Sequence, residues 1–116
     1  MIISKDYIQS LLEGIYGPGK VAYSQFTDED TVSPPFCAFY YSASSNNLFA
    51  DGKVYACFRR LYIESYTDTS EQDSEYQTKI ENLLDSQGLP WQKESEWIES
   101  EHMYLTSYTM EVLTDV

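Results

Sequence analysis

The residues with the clearest chemical potential lie near the end of the chain: Glu94, Glu96, Glu99 and Glu101, followed by the single histidine, His102. Carboxylates two positions apart on a strand project from one face, an arrangement suited to paired acid–base work or to a divalent cation. The same spacing around a hairpin tip is ordinary solvated charge, and nothing in the neighbouring residues marks either pair as buried. A catalytic histidine needs a nucleophile and a carboxylate beside it. His102 instead falls in an expected turn next to Glu101 and reads as an exposed surface residue.

The other groupings are no closer to an active site. Asp28-Glu29-Asp30 lacks the glycine and the closing glutamate of a calcium loop. Gly17-Pro18-Gly19 is not followed by a lysine and a serine or threonine opening a helix, so it reads as a helix stop rather than a phosphate cradle. Cys37 and Cys57 both fall in apolar, strand-like contexts and read as small buried thiols, with a bridge between neighbouring strands as the alternative. Two lone cysteines and one histidine do not have metal-ligand spacing. No catalytic, metal or cofactor site is expected, and the reading is non-enzymatic.

Composition narrows the class. At 116 residues the chain is expected to form one domain over 1–116, and a domain of this size buries roughly 65% of its unfolded surface. The longest apolar run, Phe36 to Tyr41, falls far short of the ~20 residues of a membrane span. The start, Met1-Ile2-Ile3-Ser4-Lys5-Asp6, reaches an acid before a signal-peptide core could form, so an intracellular protein without membrane partners is expected. The net charge of −12 divides unevenly: six acids against three bases in residues 1–58 give −3, and thirteen against four in 59–116 give −9. Such a surface cannot neutralise phosphates as a basic patch does, which argues against direct or sequence-specific nucleic-acid binding. It suits a basic partner, or a wall that DNA passes without sticking.

The elements that position these residues follow from periodicity. Ser4 caps a helix whose apolar residues Tyr7, Ile8, Leu11, Leu12 and Ile15 share a face, and Gly17-Pro18-Gly19 stops it. Val21 to Phe26 reads as a short strand, 27–33 as a polar loop, and Pro34-Pro35 as an extended lead into the aromatic strand Phe36 to Ser42. Residues 43–53 read as a long loop carrying the apolar pair Leu48-Phe49. Between Val54 and Thr67 the alternation changes phase, which predicts a bulge or turn near Arg59-Arg60 that would set both arginines at a sheet rim. A second helix, capped by Thr69 or Ser70, carries Tyr76, Ile80, Leu83 and Leu84 inward and ends at Gly88. Trp91 to Ile98 and Met103 to Leu113 read as two strands around a turn at Glu99 to His102. The order predicts an α+β domain of two layers, an antiparallel sheet of about five or six strands packed against two helices. The eleven tyrosines suit half-buried strands, or protein interfaces where the ring packs and the hydroxyl stays wet.

The chain resembles the tail-terminator, or tail-completion, proteins of long-tailed phages and prophages of Gram-positive bacteria. The likeness is carried by Val21-Ala22-Tyr23, Pro34-Pro35-Phe36, Ser45 to Asp51, Lys53-Val54-Tyr55, Leu61 to Asp68, the second helix, Ile98 to Tyr104 and Tyr108 to Val112. It departs at Cys57-Phe58-Arg59-Arg60, where a more polar stretch is usual in that group. The resemblance implies a structural protein that forms a ring of six subunits on the head-proximal end of the tail tube. The partners it implies are further copies of itself, the tail-tube protein and a neck or head-completion protein. Its location would be the host cytoplasm during assembly and then the virion tail. The residues expected at interfaces are Asp28, Glu29 and Asp30 in the first loop, Asn46, Asn47, Leu48 and Phe49 in the second, and Arg59 and Arg60. Two alternatives stay open: a head–tail joining protein of the neck, and an acidic DNA mimic that inhibits a DNA-binding enzyme.

Overall fold

Two helix caps anchor the fold. The computed structural model describes residues 2–24, 32–42, 46–50 and 52–115, and for 46–50, 53–55 and 115 the backbone alone. Helix α1 spans Lys5–Tyr16, and the Ser4 hydroxyl accepts the Tyr7 amide at 3.2 Å, satisfying one of the free donors of the first turn. Gly17, at φ +94°, ends it with its own amide bonded to the Glu13 carbonyl. Helix α2 spans Ser70–Ser86. The Thr69 hydroxyl accepts the Gln72 amide, while the Gln72 side chain reaches back to accept the Asp68 amide, a reciprocal arrangement close to a capping box. Ile8, Leu12 and Tyr16 of α1 and Ile80 and Leu84 of α2 are buried at helical spacing.

Six strands form one sheet: β1 (Val21–Tyr23), β2 (Phe36–Tyr41), β3 (Asn46–Ala50), β4 (Lys53–Thr67), β5 (Gln92–Ile98) and β6 (Met103–Asp115). Their order is β1-β2-β4-β6-β5, with β3 beside the first part of β4. The fold is thus α+β in two layers, both helices lying on one face of the sheet. The sheet is mixed: β1 runs parallel to β2, and the other pairs are antiparallel. A parallel pair needs a connection of about a dozen residues, and residues 24–35 supply it. No helix among the described residues is long and apolar enough to cross a membrane.

Two expectations are corrected. Residues 46–50 are not loop but strand β3, hydrogen-bonded to β4 with Ala50 opposite Lys53. A connection of Asp51-Gly52 between flanking strands is a strong hairpin signal, and Gly52 at φ +75° adopts the left-handed conformation that glycine accepts without steric cost. Nor is there a bulge at Arg59-Arg60. The β4–β6 register runs unbroken from Ala56 opposite Asp115 to Thr67 opposite Tyr104. The phase change in the sequence arises because β4 carries apolar groups on both faces, so Ala56 and Cys57 are both buried. The irregularity that does exist lies in β3, between Leu48 and Phe49.

The odd-numbered residues of β4 face the helices. Leu61 and Ile63 join Cys37 and Phe39 of β2, Tyr108, Met110 and Val112 of β6, and the helix residues in one core. Ser65 lies among them fully buried, its hydroxyl bonded to that of Tyr16, whose ring stacks on Tyr76 at 4.8 Å. A polar chain fastens α2 to β5 and β6: Tyr108 and Lys93 each donate to Glu81 at 2.7 Å, and Thr106 donates to Asp73 at 3.0 Å. The two cysteines are free and far apart. Cys37 lies opposite Ser65, and Cys57 sits eight residues earlier on the same strand, ~27 Å away at ~3.4 Å per residue. The fold therefore excludes a bridge between them.

Burial raises the Tyr16 phenol far above its ordinary value of 10.0 and the Cys37 thiol far above 9.0, with Cys37 adding to the Tyr16 shift and Glu64 to that of Cys37. A group held protonated in the folded state stabilises fully below its unfolded pKa and progressively less above it. Stability from urea denaturation should hold to about pH 9 and then fall by up to ~1.4 kcal/mol per pH unit for each such group. The fall should be shallower in Tyr16→Phe. A stability unchanged through pH 10 in the parent chain would contradict the burial of these groups.

Candidate functional site

The even-numbered residues of β4 point away from the helices, and on that side the sheet is uncovered by any described element. Three cross-strand rows can be read from the register. Phe36, Tyr66, Leu105 and Glu96 form one, Ala38, Glu64, Ser107 and Glu94 the next, and Tyr40, Tyr62, Thr109 and Gln92 the third. Phe36 stacks on Tyr66 and Tyr40 on Tyr62, each pair with ring centroids 4.8 Å apart. Such pairs contribute roughly 0.5–1.5 kcal/mol beyond their burial.

Glu64 sits between the two stacks. Tyr66 donates to its Oε1 at 3.1 Å, and Tyr40 lies close enough for the carboxylate charge to act on its phenol. Desolvation, then the carboxylate charge, raises both phenols, so each stays a neutral donor at physiological pH. The carboxylate is half-buried, yet the ion pairs among the described residues are Lys79–Glu75 and Lys93–Glu81, neither on this face. A cleft of about 450 Å³ opens beside it, walled by Phe36, Tyr66, Ile98 and Met103 and rimmed by Glu101. A second cleft of about 300 Å³ lies further along the same face, between Arg60, Tyr62, Gln92 and Glu94.

The expected interface residues are dispersed. Asp28, Glu29 and Asp30 lie outside the described residues. Asn46, Asn47, Leu48 and Phe49 fall on β3, at an edge of the sheet, rather than in a loop. Arg59 and Arg60 are consecutive in a straight central strand and so point to opposite faces. The Arg59 Nε lies 3.3 Å from the Cys57 sulfur on the helix side, while Arg60 is exposed on the open face opposite Glu111. They do not stand together at a sheet rim. Glu94 and Glu96 are exposed and share the open face, and His102 is exposed in the turn with its ring against Trp97. Among the described residues no three histidine, cysteine or acidic side chains converge as metal ligands do.

The group that sequence reasoning missed is Phe36, Tyr40, Tyr62, Glu64 and Tyr66. Its signal was present as a period of two within each run, Tyr62-Glu64-Tyr66 and Phe36-Ala38-Tyr40, but that the two runs lie side by side is set by the pairing of distant strands. Removing the charge with Glu64→Gln should shift the ionisation of Tyr40 and Tyr66 to lower pH in an ultraviolet phenolate titration. The shift should be partial, because desolvation, the larger cause, remains. An unchanged titration would show that the carboxylate does not couple to these phenols.

The chain matches no protein-family model and no curated protein sequence.

Proposed function

We propose that this chain is a structural component of a phage or prophage tail, a ring-forming terminator that caps the tail tube and joins it to the neck. The reading rests on the resemblance in the sequence. The observation that carries it is the sheet itself, with one face rich in stacked aromatics uncovered by any described element and, among the described strands, edges at β1, β3 and β5. Sheet edges offer unpaired backbone donors and acceptors, a route to pairing between subunits, and repeated heterologous contacts close into rings. Half-buried tyrosines on an open face are the side chains that interfaces favour. The hairpin of β3 and β4, which holds Asn46 to Phe49, would reach a neighbour, the tube or the neck. Acids of the second half, turned toward a lumen, would let DNA slide past without being held.

The test is electron microscopy of induced lysates from a host lacking this gene. Overlong tubes without heads are expected. Tails of normal length lying apart from full heads would move the assignment to the neck. Intact infectious particles would overturn the structural reading and favour an acidic decoy for a DNA-binding enzyme.

A further inference from the structure

From the cleft beside Glu64 we infer that the open sheet face is a docking surface for a basic segment of a partner protein, which inserts an arginine side chain between Glu64 and Glu101. The charged side chains of this cleft are both carboxylates, and no ion pair among the described residues neutralises either. The Glu64 carboxylate, half-buried and accepting from Tyr66, has acceptor positions left for a further donor, and an incoming cation supplies that donor together with a counter-charge. The surrounding acids reinforce it: Glu94 and Glu96 stand on the same face, two strands away from Glu64 across β6. A second copy of this chain is a poor occupant, since it would bring a further net charge of −12 to the same acidic face.

The walls select arginine over lysine. The Tyr66 and Phe36 rings give the cleft an aromatic surface near the carboxylate, and Ile98 and Met103 line it with apolar groups. A planar guanidinium stacks on such a surface while its donor fork engages a carboxylate, and it leaves water more readily than an ammonium does. Glu64 is already oriented by the Tyr66 hydroxyl, so less side-chain freedom is left to lose on binding. Ala38, which lies next to Glu64 across the β2–β4 pair, keeps the floor low. The inference stands apart from the tail reading, since it concerns the chemistry of the face whatever assembly presents it.

The probe is the blocked tripeptide Gly-Arg-Gly, titrated into isotopically labelled chain and followed by amide chemical shifts. The matched peptides carry lysine, or citrulline as the neutral isostere. Saturable shifts confined to Phe36, Ala38, Glu64, Tyr66 and Glu101 are expected, strongest for arginine and absent for citrulline. Glu64→Gln should weaken binding roughly tenfold or more. Glu101→Gln, in an exposed turn where folding is insensitive to it, should weaken it by a few fold, whereas Glu71→Gln on the exposed side of α2 should not. Shifts spread evenly over the acidic surface, or no saturation at tens of millimolar, would overturn the inference. So would equal affinity in Glu101→Gln and Glu71→Gln, a comparison that survives even if Glu64→Gln fails to fold.

Discussion

Strand β4 has a neighbour on each edge for most of its fifteen residues, and a strand held on both edges cannot rotate or slip. Its side-chain period of two therefore divides the molecule. Everything odd-numbered from Leu61 to Thr67 is committed to the helix layer, and everything even-numbered to the open face. The two helices can dock only where the first set lies, and the stacked aromatic pairs can form only across the second. A one-residue slip would bury Glu64 and expose Ile63, so the register carries the whole arrangement.

On the helix side the constraint is met with apolar packing and a small number of completed polar contacts. Ser65 finds Tyr16, Thr106 finds Asp73, and Tyr108 crosses from core to surface to reach Glu81. Each buried hydroxyl so placed costs little, whereas the same groups unpartnered would cost about 1–3 kcal/mol each. On the open side the same strand carries Tyr62, Glu64 and Tyr66, a sequence too apolar for free water and too charged for a core. That intermediate chemistry is what a transient or assembling surface requires.

Much of the fold was legible in the sequence. The Ser4 and Thr69 caps, the glycine stop after α1 and the helical stripes of Ile8, Leu12, Ile80 and Leu84 are local signals, and each element formed where its signal lay. What was hidden depends on partners distant along the chain. Asn46 and Asn47 look like loop residues, and they are strand because β4 supplies their hydrogen bonds. Arg59 and Arg60 look like a break because alternation assumes one apolar face, and β4 has two. The parallel placement of β1 beside β2 has no local signature at all, since it is decided by which sheet edge is free. The open-face cluster depends in the same way on β2 lying beside β4, a pairing that neither segment signals by itself.

The central proposal is that the open sheet face and its edges are working surfaces rather than solvent-facing remainders. Hydroxyl-radical footprinting of Tyr40, Tyr62 and Tyr66, compared between the isolated chain and the tail particle it is proposed to join, tests this most directly. The account predicts ready oxidation of all three in the isolated chain and marked protection in the particle, with Tyr16 and Tyr108 unreactive in both. Equal oxidation of the three open-face tyrosines in the two states would contradict it.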